Sequence, residues 1–490
     1  MPFRKSLAVT ALCLISVPFI ASCTTNEATG RSQFTGLMNS ASEAQIGSGE
    51  QQKAQAQFGV VNDPAVQAYV DGICARLLPV VERHDINYTC TVLDSPVVNA
   101  FALPGGYVNI NRGVLAFANS EAELASVLAH EIGHVTARHI SERYTQSTLA
   151  QLGATALSIG IGNAAANQLV GVGANMYLAS YSRAQESEAD ELGIRYLNKA
   201  GYDPMAMSRF LAGLQRSAKL QAAEEGADYK EGYSFMASHP MTSERVARAA
   251  SVAAAYPVRG TDEGVDRHMQ AISGLVYGDS PKDGFMKGDT FIHPGLGFAF
   301  VTPRSFAVKN QPDKVVGMSR GKSGAAFVFD VSQKPYGMAP ADYITQSWTK
   351  GQTPLEGMQT MDVNGMRAAT AQVQGSVNNA PALMRLVAIE WSPSEIFRFQ
   401  FAMPQATTSA EIEDLKRISY SLRRLTPAEV ANAQPKRMAV VTAAMGDTVA
   451  SLTRRMAFDD GLNDQRFRAI NGLNEGDPVV PGRKYKIVIQ

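Results

Sequence analysis

Two histidines one helical turn apart constrain this chain more than any other feature: His130-Glu131-Ile132-Gly133-His134 lies inside an unbroken helical stretch. Residues four apart on a helix differ by about 40° of rotation, so both imidazoles face one point. Neutral imidazole nitrogen suits zinc, and Glu131 between the histidines is the residue type that takes a proton from water. A hydrolytic zinc keeps one position for water and needs a third protein ligand. Glu186-Ser187-Glu188-Ala189-Asp190 offers it. Glu186 and Asp190 share a helix face, so Glu186 reaches the metal while Asp190 accepts from the far nitrogen of His130 and fixes its tautomer. Glu188, rotated about 200° from Glu186, reads as a solvated or ion-paired side chain.

Ser120 with Glu123 predicts a helix from Glu121 to about Tyr144 that carries the motif. Strands are expected at Ile86–Leu93 and, after Pro104-Gly105-Gly106, at Tyr107–Asn111, the latter at a sheet edge. The segment Asn99–Ile110, with Asn99 and Ala102, is a candidate edge strand that adds an extended peptide substrate to the sheet. Asn99 reads equally as a turn residue. His139 falls off the ligand face and is expected at the surface; His293 reads as a turn residue beside Pro294, and His84 and His268 have no visible partners.

At the N-terminus, Arg4 and Lys5 precede the apolar stretch Leu7–Ile20, too short to span a membrane comfortably and patterned as a secretory signal. Ile20-Ala21-Ser22-Cys23 resembles a bacterial lipobox, which implies cleavage before Cys23, its acylation, and, with Thr24 rather than Asp following, an outer membrane lipoprotein facing the periplasm. Cys74 and Cys90 are then an even pair in an oxidising compartment, either bridged or separately buried. Lys plus Arg and Asp plus Glu each total 45, and no long run of one charge sign occurs, which gives no basis for nucleic acid binding.

HEIGH followed by Ser182-Arg183, Glu186 and Ala189-Asp190 resembles the HtpX, BepA and CAAX-prenyl-endopeptidase group of zinc metalloproteases. Thr29-Gly30-Arg31 with Gln33-Phe34, and Asn99 through Gly106, extend the likeness. It implies a gluzincin-type fold and peptide hydrolysis at one zinc held by His130, His134 and Glu186, with Glu131 as base. Ser238-His239-Pro240 followed by Ser243-Glu244-Arg245 resembles an element of the same relatives in which the histidine approaches the zinc, as an oxyanion donor or a cap. A structural loop histidine is the alternative. No helical repeat follows the motif region.

The chain therefore reads as an α+β multidomain protein: signal peptide 1–22, tether 23–40, a mainly helical metalloprotease domain 41–255 with a small edge sheet, and a connection 256–288. An antiparallel-sheet α+β domain follows at 289–425, its opening strand weakly resembling PsbP-like or Mog-like domains. The segment 436–490, with Gly446-Asp447-Thr448 and Asn471-Gly472-Leu473, resembles a β-α-α-β LysM module, whose usual ligand is peptidoglycan N-acetylglucosamine; this copy either binds glycan or only positions the enzyme. The Ala- and Gly-rich region 145–180 reads as two packed helices or a flap. The expected function is a zinc endopeptidase acting on unfolded or misassembled envelope proteins. The alternative is a proteolytically latent, chaperone-like or wall-binding protein.

Overall fold

The computed structural model describes residues 23–34, 38–148, 180–225, 239, 242–257, 259–377 and 380–490. The expected signal segment and most of the Ala- and Gly-rich region lie outside the described residues. No described helix is long and apolar enough to cross a membrane.

A short hairpin, β1 (Cys23–Thr25) and β2 (Ser32–Phe34), opens the described chain. Helices α1 (Ser40–Phe58) and α2 (Pro64–Leu77) follow, α2 starting where the Asp63 carboxylate accepts from the amides of Ala65 and Val66. Three strands come next: β3 (Thr89–Leu93), β4 (Ala100–Leu103) and β5 (Tyr107–Asn111). A short α3 (Arg112–Phe117) leads to the motif helix α4 (Glu121–Thr136), then α5 (residues 139–148), α6 (Arg183–Lys199), α7 (Ala206–Glu225), α8 (Ser243–Ala254) and α9 (Val265–Ile272). A disulfide joins Cys74 on α2 to Cys90 on β3, with Cα atoms 6.7 Å apart.

Several expectations are corrected here. The sheet order is β3-β5-β4, so Tyr107–Asn111 is the central strand. Left-handed Gly105 and Gly106, at φ 78° and 93°, turn the chain tightly enough to pair β5 with β4, while β5 also runs parallel to β3. The outer positions fall to Thr89–Leu93 and Ala100–Leu103.

The motif helix does not reach Tyr144. It stops at Thr136, and Arg138 takes a left-handed φ of 57° before α5. The carbonyls freed at this break are capped from outside: Asn26 Nδ2 donates to Thr136 O at 2.8 Å, Gln33 Nε2 to Ala137 O at 2.5 Å and Arg83 Nη1 to Val135 O at 3.2 Å. Residues 23–34 are therefore no free tether, because two buried side chains of the hairpin complete the end of α4.

Nor is 256–288 a bare connection. Met269, Ile272 and Leu275 enter the main apolar core, and the backbone around residues 274–277 pairs with 436–438.

The α+β region holds two sheets. β6 (Phe285–Lys287), β7 (Thr290–His293), β8 (Phe298–Val301) and β16 (Arg423–Arg424) form the smaller. The larger is antiparallel in the order β12 (Glu356–Val363), β13 (Met366–Val377), β14 (Ala380–Ser392), β15 (Glu395–Pro404), β11 (Ala326–Gln333), β10 (Lys314–Ser319), β9 (Phe306–Gln311). Alternation sends Phe397, Phe399 and Phe401 into a phenylalanine-rich core shared with Phe298 and Phe300 and covered by α11 (Ser409–Tyr420). A short α10 (Pro340–Asp342) precedes β12, and α12 (Pro427–Ala431) follows β16.

The last segment runs β17 (Arg437–Thr442), α13 (Val449–Thr453), α14 (Asn463–Ile470), β18 (Lys484–Ile489), with β17 and β18 antiparallel. Its apolar residues Met438, Leu452, Phe467, Tyr485 and Ile487 belong to the same core as Leu124, Leu128 and Ile132 of the motif helix. Buried Lys486 donates from Nζ to the carbonyls of Ala116, Phe117 and Ala118, at 3.1, 2.7 and 2.7 Å, and so closes the end of α3.

Candidate metal centre

Close passage of α6 across α4 builds the site. Gly133 and Gly193 permit it: a Cβ on Gly133 would sit 3.0 Å from Ala189 O, and one on Gly193 would meet Met207 Cε at 2.8 Å and His130 N at 3.2 Å. Helix α6 begins at a reciprocal cap, Ser182 with Gln185, and presents Glu186 in its first turn towards the two motif histidines.

His130, His134, Glu186 and His239 each offer one ligand atom, all within 4.8 Å of one another and all buried. His130 Nε2 lies 3.1 Å from His134 Nε2 and 3.2 Å from His239 Nδ1. Glu186 Oε1 is 3.5 Å from His134 Nε2 and 2.8 Å from His239 Nδ1, and Oε2 is 3.7 Å from His130 Nε2. Ligand atoms about 2.1 Å from a tetrahedral zinc stand about 3.4 Å apart, so these separations suit one ion.

Proton bookkeeping points the same way. His130 Nδ1 faces Asp190 Oδ1 at 2.9 Å, and His134 Nδ1 faces His139 Nδ1 at 2.9 Å. With the Nδ1 atoms turned to these neighbours, the two Nε2 atoms converge at 3.1 Å, an arrangement that a cation between them relieves. Burial holds His134 neutral, well below the ordinary histidine value, as a metal ligand requires.

Burial alone would raise the Glu186 carboxyl. The charge and hydrogen bond of His239, with His134 and His130 close by, outweigh it and hold the group well below the usual carboxylate range. Asp190 is likewise lowered against burial, by Arg245 and His130. For His239 the charges of Glu186 and Glu131 overcome burial and raise it.

Glu131 is fully buried, and neither carboxylate oxygen has a hydrogen-bond partner among the described residues. His239 Nε2 is 3.4 Å from its Oε1. A buried carboxylate left without donors is costly and marks a place where a ligand or water belongs.

Two neighbours of this cluster make contacts that the sequence reading does not assign. Arg245, on the first turn of α8, reaches Asp190 through Nε and Nη2 at 2.9 and 2.8 Å and Glu186 Oε2 through Nη1 at 2.7 Å. Tyr181, just before the Ser182 cap, stacks on His134 with ring centroids 3.8 Å apart. Nothing in spacing distinguishes a buried arginine on α8 from a solvated one, but a large residue directly before a capping box could have marked Tyr181 as a packing residue.

His139 is corrected outright. It is fully buried, and its Nε2 lies 2.8 Å from Glu188 Oε2, because the break at Ala137–Arg138 swings it back towards His134. Glu188 accepts from His139 Nε2 and is ion-paired at 3.5 Å to Arg31. His268 has partners too: Tyr69 Oη at 3.0 Å and Ala118 O at 2.8 Å. His293 ends β7 and accepts the Leu296 amide, as a turn residue does. Ala102 of β4 packs with Val135, Ile140 and Tyr181, and Asn99 beside it has a buried Oδ1 without a partner among the described residues.

Residues 64–253 match Peptidase family M48. Over 220 residues the chain is 34% identical to a putative beta-barrel assembly-enhancing protease of Vibrio cholerae, covering 43% of this chain and 44% of that protein. The beta-barrel assembly-enhancing protease of Escherichia coli is 28% identical over 42% of this chain and 43% of its own length. The mitochondrial metalloendopeptidase OMA1 of Schizosaccharomyces pombe is 30% identical over 36% and 50%. The chain thus spans half or less of the length of these relatives. Among solved structures, cyanobacterial PsbP from Synechocystis overlaps 28% of this chain and 91% of its own, at 9% identity and a TM-score of 0.23. Residues 64–253 are thus similar to Peptidase family M48 and to named metalloendopeptidases, and within them, with His239, lies a buried ligand cluster compatible with the zinc of such enzymes.

Proposed function

We propose that the chain is a periplasmic endopeptidase, anchored to the outer membrane through Cys23, that hydrolyses unfolded or misassembled envelope proteins. The observation that carries the chemistry is Glu131, buried without a donor beside four converging ligand atoms. The envelope address rests on the lipobox-like Ile20-Ala21-Ser22-Cys23 and is supported by a Cys74–Cys90 bridge, which suits an oxidising compartment. The substrate class comes from the relatives named for beta-barrel assembly.

His130, His134 and Glu186 would hold the zinc, which when bound supplies a Lewis acid that polarises the scissile carbonyl and acidifies water. Glu131 takes the proton of the attacking water and returns it to the leaving amine. Asp190, itself held by Arg245, keeps His130 in the tautomer that leaves Nε2 free. The outer strand β4, with Asn99 and Ala102, offers an extended peptide a backbone partner, so cleavage demands unfolded chain more than a particular sequence.

A latent form is the second reading, favoured by His239. Its Nδ1 sits among the ligand atoms, where a fourth protein ligand would close the position that water needs. Peptidoglycan binding by residues 436–490 remains part of this second reading. Incubating the zinc-loaded chain with casein and with a native, disulfide-rich protein tests the proposal. Casein cleavage that stops on chelation, with the native protein intact, supports it; equal degradation of both overturns the unfolded-substrate reading.

A further inference from the structure

His134 is supported from behind by a chain of side chains that leads away from the metal to the N-terminal hairpin. Its Nε2 faces the other ligand atoms, so its proton sits on Nδ1 and is donated to His139 Nδ1 at 2.9 Å. His139 must accept there, which places its own proton on Nε2, donated to Glu188 Oε2 at 2.8 Å. Each donor meets an acceptor and every tautomer is determined.

Glu188 is held in turn by Arg31 Nη2 at 3.5 Å, and the same guanidinium grips Glu142 on α5 at 3.1 and 3.3 Å. The geometry of the break completes the picture. In a continuous helix His139 would stand about 140° from His134, with no contact. The left-handed Arg138 redirects it, and hairpin residues Asn26 and Gln33 cap the carbonyls that this turn exposes. One short hairpin therefore stabilises both the turn that delivers His139 and the carboxylate that orients it.

We infer that His139 and Glu188, tied to Arg31 of the 23–34 hairpin, are positioning residues for His134, so that docking of the hairpin sets the affinity of the metal site. The inference rests on the metal reading of His130, His134 and Glu186. A fixed outer partner raises the basicity of a ligand imidazole and removes its rotational freedom, and loss of such a partner costs about 10–100-fold in metal affinity.

The test is zinc affinity by chelator competition on the full chain, with the Tm of the metal-free protein measured alongside. His139→Leu should weaken zinc about 10–100-fold, and His139→Gln, whose amide can accept from His134 and donate to Glu188, should recover most of it. Glu188→Leu, at a partly exposed position, and Arg31→Ala should weaken zinc in the same direction while the metal-free Tm stays near wild type. A His139→Leu or Glu188→Leu chain that folds and binds zinc within about threefold of wild type overturns the inference. Should wild type itself bind no zinc, the metal reading fails first and takes the inference with it.

Discussion

His239 Nδ1 lies 2.8 Å from Glu186 Oε1, while its Nε2 lies 3.4 Å from Glu131 Oε1. One loop histidine thus touches both the acid expected on the metal and the acid expected to act as base. Removing it should open the water position. His239→Ala is expected to raise the initial rate of casein cleavage by about 3–30-fold with zinc still bound, since three ligands remain. A fall in rate with zinc retained would show that His239 assists the reaction instead of capping the site.

Arg245 is the only cation among the described residues within ion-pair distance of both Glu186 and Asp190, apart from the histidines. Burying two carboxylates without it is costly. Arg245→Ala should destabilise the metal-free protein by about 3–5 kcal/mol in urea unfolding, with Arg245→Lys intermediate because one ammonium cannot serve both partners in a fork. Wild-type stability in Arg245→Ala would mean that these carboxylates are hydrated.

The shared core makes the C-terminal segment part of the peptidase fold. Removal of residues 436–490 takes away Met438, Phe467, Tyr485 and Lys486 and opens the core that holds the motif helix. Such a truncation should aggregate or lose cooperative unfolding, and Lys486→Met alone should cost about 2–4 kcal/mol by leaving three carbonyls at the end of α3 unsatisfied. A truncated chain with wild-type Tm would contradict this.

His268 is pushed down to about 3 by burial and by the nearby charge of Lys486. Between its ordinary value near 6.5 and about 3, the unfolded chain takes up a proton that the folded chain refuses. Stability from this group is therefore full above about pH 6.5 and falls as pH drops through that window. His268→Gln should flatten the dependence of Tm on pH between about 6.5 and 4; an unchanged slope would sink this assignment.

The cluster was legible where helix periodicity alone decides geometry. His130 and His134 at four-residue spacing, and Glu186 and Asp190 at the same spacing, arrive where they were expected. His139 was misjudged because its position depends on a backbone break at Arg138, which hairpin residues more than a hundred positions away cap and stabilise. The contacts of Arg245 and Tyr181 are not legible for a related reason: Arg245 stands in a motif that resembles the relatives and Tyr181 before a capping box, but the partners of both lie on other helices. Apolar alternation is plain in β15, whereas β9, β10, β12 and β13, lower in apolar content, show it weakly. The boundaries at 23–40 and 256–288 follow composition and that at 436–490 a motif resemblance, none of which registers that these segments share a core or cap a helix with the peptidase region.

The most direct measurement is peptide hydrolysis by Glu131→Gln with its zinc content determined on the same sample. The account predicts about one zinc per chain, as in wild type, with casein cleavage reduced by about 100-fold or more, because the ligands stay and the proton acceptor is gone. Cleavage at the wild-type rate with zinc bound would contradict it.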